Sequence, residues 1–220
     1  MRRAIFIAAW LACVGSFSGI AAGQTPVYGY DLRGQAITQL APPRAGGEEF
    51  PVVLFFLATD CPVSNSYVPE IQRLEQRFAA NQVPFWLVYP NATETPEMVR
   101  LHQAAYGLNG PAFEGRVLLR PQRMLMSIAH ATITPESAVL VPTRKSGLDT
   151  NSEALHTVYL GRIDDRYVDI SRERPKATRH DLEQAIEAAL NHQPVAPPGG
   201  PPVGCGIVTE EDLRPVGGKP

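Results

Sequence analysis

The sequence has few cysteines, three in 220 residues, and this scarcity excludes a fold held together by several disulfides. It also has no excess of positive charge, since 20 basic residues stand against 22 acidic ones, and this balance argues against a nucleic-acid-binding surface. Glycine-rich nucleotide-binding motifs and the Cys/His spacing of zinc sites are missing, which disfavours dinucleotide, nucleotide and zinc enzymes. The 44% hydrophobic content is enough to bury a core. We therefore expect one globular domain that needs no organic cofactor.

Residues 1–23 are typical of a secretory signal peptide. Two arginines at the start precede the uncharged, apolar residues 4–22, and small residues lead up to Gly23. An uncleaved membrane anchor is the alternative, because the apolar run is about the minimum length that spans a bilayer. We expect cleavage near Gly23, and hence a periplasmic or secreted mature protein with no stable membrane insertion.

Two uncharged apolar stretches, Val52–Leu57 and Val83–Tyr89, predict buried strands of a central sheet. Apolar residues at helical spacing from Val63 to Phe78 predict a helix between them, and Glu97–Tyr106 predicts another after the second strand. Strand, helix, strand and helix in this order predict a parallel βαβ unit. Ahead of this unit, alternation around a turn in Val27–Leu40 predicts a hairpin.

The second half of the chain predicts a different arrangement. Glu136–Val141 and Ala154–Arg162 are strand-like and flank a polar turn at Arg144–Ser152, which indicates an antiparallel pair. Thr178–Asn191 carries an apolar stripe at helical spacing, and its first residue forms a predicted capping box with Asp181. A parallel βαβ unit followed by two strands and a helix predicts an α/β fold, a three-layer α/β/α sandwich with a central mixed sheet.

The C-terminal part has a composition of its own. Residues 194–204 include five prolines and three glycines, so we expect an extended tether that forms neither helix nor sheet. This tether leads to Cys205. The predicted organisation is a signal peptide at 1–23, a folded domain at 24–193 and a Pro/Gly-rich tail at 194–220 that carries Cys205.

Cys61 stands where the first buried strand ends and a helix begins, directly before Pro62. Unpaired N–H groups and the positive end of the helix dipole at this position stabilise a thiolate. Ser64 lies three residues further on and its hydroxyl could donate to the sulfur, whereas the neighbouring charge of Asp60 would raise the thiol pKa. A buried, inert cysteine is the alternative. We expect a partially activated nucleophile that is reachable from the surface.

The segment VVLFFLATDCPVSNSYVPEIQRL resembles the active-site stretch of exported thioredoxin-like proteins, and also the redoxins related to alkyl hydroperoxide reductase and thiol-specific antioxidant proteins. Cys61 matches the nucleophilic cysteine of these families, and Pro69 matches the proline of their first helix. The Thr134–Pro135 pair matches the cis-proline that faces the cysteine and pairs its preceding backbone with an incoming peptide. The resemblance covers about Val27 to Gln193. It implies a thioredoxin-like fold and chemistry on protein thiols, disulfides or peroxide, with an external thiol as reductant.

The sequence departs from these families at the second cysteine. Ser64 replaces it and Asp60 replaces a tryptophan, so no disulfide can form within the motif. The peroxidase pattern is incomplete as well, because Thr59 is one position away from where it would be needed. We hypothesise that Cys205 acts as the resolving thiol for Cys61. A permanent structural disulfide and a free tail thiol are the alternatives.

We predict an enzyme, a thiol–disulfide oxidoreductase or a peroxiredoxin-like antioxidant. Its predicted catalytic residues are Cys61, Cys205 and Pro135. The predicted substrate-binding residues are Thr134, Ser64, Thr59 and Asp60, and no resident metal is expected.

Two rivals from other classes stay open. One is a copper-binding or copper-delivery module that uses Cys61 with His130 or His156. The other is a redox-silent interaction domain that kept the fold.

Two further motifs have a structural and a functional interpretation. The charged run Arg162–Tyr167 contains paired carboxylates that would suit an acid, a base or a metal ligand, but such alternation is more typical of a solvated, salt-bridged turn. Asn91, followed by Ala and Thr, has the form of an N-glycosylation acceptor, which matters only in a eukaryotic source.

Overall fold

The computed structural model describes residues 26–41, 50–143 and 155–214. The predicted signal peptide at 1–23 and the predicted polar turn at 144–152 lie outside these residues. Across the described ranges, no helix combines the length and the apolar character that crossing a membrane requires.

Strands and helices alternate through most of the chain. The strands are β1 (Gly29–Tyr30), β2 (Ala36–Ile37), β3 (Val52–Phe56), β4 (Phe85–Tyr89), β5 (Val117–Leu119), β6 (Ile133–Thr134), β7 (Glu136–Pro142), β8 (Leu155–Gly161), β9 (Tyr167–Asp169), β10 (Arg172–Glu173) and β11 (Cys205–Gly206). The helices are α1 (Pro62–Ser66), α2 (Val68–Phe78), α3 (Pro96–Tyr106), α4 (Arg123–Ala129) and α5 (Asp181–Leu190).

A seven-stranded sheet forms the centre, in the order β2-β1-β5-β4-β3-β7-β8. Strand β3 runs parallel to β4, and β4 runs parallel to β5, whereas β7 is antiparallel to both β3 and β8. Every residue of β3 and β4 is buried, as expected for strands with no polar face. The predicted parallel βαβ unit, the antiparallel pair and the N-terminal hairpin of β1 and β2 are confirmed.

Helices cover both faces of the sheet. Alternate residues of β3 point to opposite sides, so Phe55 packs with α2, α3 and α5, whereas Leu54 packs with α4. Buried residues of α2 and α5, such as Ile71 and Ile186, belong to the first of these two core clusters. Leu125 of α4 belongs to the second. The predicted three-layer α/β/α sandwich with a mixed sheet is confirmed.

The predicted capping box before the last helix is wrong. Helix α5 begins at Asp181, and no side chain caps its first turn through a hydrogen bond. The hydroxyl of Thr178 donates to the carboxylate of Asp165 at 2.6 Å instead. Asp181 is engaged as well, since it accepts from the guanidinium of Arg162 at 2.7 Å. Thr178 and Asp181 therefore bond to side chains 13 and 19 positions away and do not cap the helix.

The expectation of a solvated turn at Arg162–Tyr167 is also wrong. Asp164 and Asp165 are each only 4% exposed. Asp164 accepts a hydrogen bond from the Tyr67 hydroxyl at 2.6 Å, and the Arg166 guanidinium lies 4.3 Å from the centre of the Tyr67 ring. The run therefore packs against Tyr67, the residue that separates α1 from α2.

Residues 194–204 form neither helix nor strand, as expected, but they are docked on the domain. The Gly199 N–H donates to the Asp181 carboxylate at 3.0 Å. Pro198 packs so closely on β8 that a Cβ added to Gly161 would stand 2.7 Å from it. The tail thus follows a defined path across the α5 end of the sheet before it reaches β11.

Candidate active site

Cys61 occupies the junction between β3 and α1. Its backbone is extended, with φ −84° and ψ 112°, and its carbonyl accepts the N–H of Asn65 at 3.0 Å, which starts the helical turn. Pro62 takes the first helical position, where its missing N–H leaves no bond unmade. The sequence placed Cys61 at this junction, and the structure agrees.

Strand β6 lies opposite this junction. The Thr134–Pro135 peptide bond is cis, as expected. The Cys61 thiol donates a hydrogen bond to the Thr134 carbonyl at 3.2 Å. Cys61 and Pro135, 74 positions apart in numbering, therefore belong to one site, built by the end of a parallel strand and the turn into β7.

Cys205 completes the site from the tail. Its sulfur lies 2.7 Å from the sulfur of Cys61, although the two residues are 144 positions apart. Both cysteines are free thiols, and a disulfide would need a separation of about 2.05 Å. Strand β11 holds Cys205 there by antiparallel pairing with β6, with Cys205 opposite Thr134.

The expectation that the Cys61 sulfur is reachable from the surface is wrong for this arrangement. Cys61 is only 1% exposed, and Thr134 beside it is fully buried. The docked tail contributes to this burial, because Cys205 contacts the sulfur directly and β11 pairs with β6 beside it. A substrate can reach this sulfur only after the tail has moved.

The two thiols differ in acidity. Burial, the largest single influence, raises the pKa of Cys61, but hydrogen bonds from Cys205 and Ser64 together outweigh it, so the pKa of Cys61 is lowered. The pKa of Cys205 is raised by burial, by its hydrogen bond to Cys61 and by the negative charges of Cys61 and Asp60. Cys61 is therefore the sulfur that ionises first, with Cys205 as its hydrogen-bond donor.

The other predicted site residues lie around the thiols in different ways. Ser64 is buried beside Cys61, and its Oγ accepts the N–H of Ala58 at 3.4 Å while its hydroxyl lowers the pKa of the Cys61 sulfur. Asp60 is exposed, and its charge acts on Cys205. Thr59 is half-buried, and its N–H donates to Glu94. Substrate binding by these residues stays a prediction.

Sequence reasoning missed Glu94, which lies behind the Cys61 loop. It is 1% exposed, one of its carboxyl oxygens accepts the Thr59 N–H at 2.7 Å, and the other has no hydrogen-bond partner among the described residues. Burial raises the pKa of Glu94 to about 7. Its position after the end of β4, a parallel strand, is the signal that could have found it, because ligand and catalytic groups gather at that edge of such sheets.

His102 on α3 was missed too. Its Nε2 contacts the Asn65 side-chain oxygen at 2.8 Å, and its Nδ1 contacts the Tyr89 hydroxyl at 2.9 Å. Burial lowers the pKa of His102, which keeps the ring neutral. The neutral ring connects α1 to the core, since Asn65 in turn donates to the Thr59 carbonyl at 3.4 Å.

The copper alternative would place His130 or His156 as a second ligand beside Cys61. In the described part of the chain, the one group of three or more close potential ligand side chains consists of Glu70, Asp164 and His180. It does not include Cys61, and neither His130 nor His156 joins Cys61 in such a group.

Comparison with known proteins shows likeness in fold. No protein-family model matches the chain, and no curated protein matches it. Among solved structures, it is similar to an uncharacterized conserved protein from Geobacillus kaustophilus, with a TM-score of 0.56 and 19% identity over 85% of this chain and 90% of that one. A hypothetical protein from Sinorhizobium meliloti 1021 gives the same score and identity over 85% and 97% of the two chains.

A thiol:disulfide interchange protein of the thioredoxin family from Chlorobium tepidum TLS also matches, with a TM-score of 0.42 and 17% identity over 76% of this chain and 96% of that one. Likeness at these identities concerns the fold alone. The parallel β3-β4-β5 unit, the antiparallel β7-β8 pair and the cis-proline opposite Cys61 make the fold thioredoxin-like, as the sequence predicted. Any chemical activity therefore has to be inferred from the arrangement of Cys61, Cys205 and Pro135.

Proposed function

We propose that the protein is a thiol–disulfide oxidoreductase in which Cys61 is the nucleophile and Cys205 the resolving thiol. The observation that carries this proposal is the contact of the two sulfurs at 2.7 Å, beside a cis-proline and at the end of a parallel strand. Ser64 supports the assignment of roles, because it stays beside Cys61 when the tail moves and lowers the pKa of Cys61, which favours the reactive thiolate. The lowered pKa also argues against a redox-silent module.

The first step is an attack of the Cys61 thiolate on a partner's disulfide. A bond forms between the Cys61 sulfur and one partner sulfur, the partner's S–S bond breaks, and the other partner sulfur leaves as a thiolate. The charge on Cys61 disappears in this step. Since that charge is one of the causes that raise the pKa of Cys205, the second thiol becomes easier to ionise once the mixed disulfide has formed.

The second step is an attack of Cys205 on the Cys61 sulfur. The Cys61–Cys205 bond forms, the mixed disulfide breaks, and the partner leaves fully reduced by two electrons. An external thiol then reduces the Cys61–Cys205 disulfide and completes the cycle. We place this cycle in the periplasm or outside the cell, where disulfides persist.

Peptide mapping and turnover test this proposal together. Non-reducing digestion of the oxidised protein should release a linked Cys61–Cys205 peptide, and the protein should catalyse reduction of insulin by dithiothreitol. Cys61→Ser should abolish the catalysis, and reduced Cys205→Ser mixed with insulin in the absence of dithiothreitol should accumulate the mixed disulfide. A linked peptide that resists dithiothreitol, together with no insulin reduction, would identify a structural disulfide and overturn the proposal.

Peroxide is the alternative oxidant. Attack of Cys61 on peroxide would give a sulfenic acid, which Cys205 would convert to the same disulfide with loss of water. The two oxidants are separated by the rates at which the reduced protein reacts with hydrogen peroxide and with the native disulfides of insulin. We expect the reaction with the insulin disulfides to be faster.

A further inference from the structure

The tail binds the domain as an extended peptide. Cys205 pairs with Thr134 and Gly206 pairs with Ile133, and the N–H of Ile207 donates to the Thr132 carbonyl at 3.1 Å. The Thr134 hydroxyl adds a bond to the Cys205 carbonyl at 3.3 Å. The tail therefore lies where a substrate peptide would pair with β6, with the Cys205 sulfur against the Cys61 sulfur.

The hydrogen bonds continue beyond the paired strands. Val208 donates its N–H to the side-chain oxygen of Asn91 and accepts the N–H of Ala92, both at 2.9 Å. Asn91, the head of the sequence's glycosylation motif, is buried by this packing. The register of residues 205–208 is therefore held by hydrogen bonds at the cysteine and at the three residues that follow it.

The two glycines that flank Cys205 have opposite surroundings. A Cβ added to Gly204 would collide with the Thr134 carbonyl, standing 2.7 Å from its carbon and 2.9 Å from the Cδ of Pro135. A Cβ added to Gly206 would meet nothing within 4 Å. Neither glycine has a positive φ, so the difference between them is a matter of space. The backbone of β6 leaves no room for a side chain on the residue before the cysteine.

We propose that the edge of β6 selects partner segments with glycine immediately before the cysteine, and that the chain's own residues 204–207 compete with the partner for this edge. The proposal rests on the thiol–disulfide exchange proposed above and names its substrate class. A partner's cysteine can reach Cys61 in this register only when β11 has left. The returning tail then displaces the partner strand from β6 while the Cys205 sulfur displaces the partner's sulfur.

Short peptides test the selection. The protein is the full chain with Cys13→Ser and Cys205→Ser, so that Cys61 is its sole thiol. The peptides are Val-Gly-Cys-Gly-Ile, Val-Ala-Cys-Gly-Ile and Val-Gly-Cys-Ala-Ile, each with its cysteine joined to thionitrobenzoate. Attack of the Cys61 thiolate forms the protein–peptide disulfide and releases coloured thionitrobenzoate, which gives the rate.

We expect alanine before the cysteine to slow the reaction at least about tenfold, and alanine after the cysteine to change it less than about twofold. Equal rates for all three peptides overturn the selection. Dithiobis(nitrobenzoate), a small disulfide that does not have to pair with β6, separates this result from a failure of the proposed function. If it reacts normally, Cys61 is a competent nucleophile and only the selection is wrong, whereas no reaction with it removes both proposals.

A matched pair of substitutions tests the competition. Gly204→Ala, added to the same protein, should lift the tail and speed the reaction with Val-Gly-Cys-Gly-Ile by about tenfold. Gly206→Ala makes the same chemical change two positions away, where the added methyl group has space, and should leave the rate near that of the parent. Equal rates in the parent and Gly204→Ala would show that the tail does not compete.

Discussion

At the scale of the residue, the hydrogen-bond donors around the Cys61 sulfur decide its reactivity. Burial opposes the thiolate, and it is outweighed because Cys205 and Ser64 both lower the pKa of Cys61. Ser64 stands at the position of the second cysteine in the thioredoxin-like motif that this segment resembles. Replacement of that cysteine by serine thus removes one redox partner but keeps a donor next to the remaining thiolate.

Ser64→Ala should raise the pKa of Cys61, because it removes one of these donors. The smaller thiolate fraction should slow alkylation of Cys61 at neutral pH by about two- to tenfold. Iodoacetamide alkylation followed across pH measures both effects. Ser66→Ala is the matched control, since the Ser66 hydroxyl bonds to Val63, Tyr167 and Arg166 and is not among the groups that lower the pKa of Cys61. Identical pH profiles for Ser64→Ala and the parent would contradict this role of Ser64.

Glu94 should make stability depend on pH. Burial raises its folded-state pKa from an ordinary 4.5 to about 7, so between these values the folded chain holds a proton that the unfolded chain has lost. Stability should therefore fall as the pH rises through this window and stay lower above it. Glu94→Gln should be more stable than the parent at about pH 8, by on the order of 1–3 kcal/mol, and similar to it at about pH 4.

Urea unfolding at the two pH values measures this difference. Glu97→Gln changes an exposed carboxylate nearby and should alter stability by only a few tenths of a kcal/mol, about the size of ordinary surface substitutions. A Glu94→Gln variant that loses stability at both pH values would show that the carboxylate is held in its charged form.

At the scale of the element, Asp165 organises the segment that leads into α5. Its carboxylate accepts the N–H groups of Thr178 at 2.6 Å and Arg179 at 3.0 Å. Burial alone would raise the pKa of Asp165, but these bonds and the Thr178 hydroxyl outweigh it and hold the pKa below its usual range. The stability that Asp165 contributes is thus present at neutral pH and lost as the pH falls below about 4.

Asp165→Ala should destabilise the fold by about 2–4 kcal/mol at neutral pH, because it leaves buried N–H groups without acceptors. The loss should shrink in acid, where the parent carboxylate is protonated as well. Asp169→Ala is the control, since it removes the bonds to Ser171 from a side chain that is 47% exposed. Its expected cost is below about 0.5 kcal/mol. Similar losses in the two variants would contradict a special role of Asp165.

The elements around Cys61 could be predicted because their signals are local. Val52–Phe56 carries no charge and α2 repeats its apolar residues at helical spacing, so hydropathy alone identifies both. The buried carboxylates of Asp164 and Asp165 could not be predicted in this way. Hydropathy assigns such residues to the surface, and their burial depends on partners such as Tyr67, 97 positions away.

At the scale of the whole molecule, the tail is the feature that composition described least well. Proline and glycine content correctly predicted a segment without helix or sheet, and the hypothesis that linked Cys205 to Cys61 predicted where the segment leads. Composition says nothing about where such a segment binds. The close approach of Pro198 to Gly161, and of Gly204 to Thr134, is a steric match that only the folded domain creates.

Gly161→Ala should loosen the tail where Pro198 packs on β8. The added Cβ would stand 2.7 Å and 2.9 Å from two atoms of Pro198, so the tail should leave its path on β8. We expect the equilibrium constant for closing the Cys61–Cys205 disulfide against glutathione to fall by about tenfold. Gly110→Ala is the control, because a Cβ there meets nothing within 4 Å. Unchanged closure in Gly161→Ala would mean that β11 alone positions Cys205.

The pairing of β11 with β6 also has a consequence for biosynthesis. A growing polypeptide contains Cys61 144 positions before it contains Cys205. During that interval Cys61 and the edge of β6 lack the tail that covers them. The thiol can then form disulfides with neighbouring nascent chains, and the strand edge can pair with their backbones. Truncation by a premature stop codon ahead of residue 204 would make this hazard permanent.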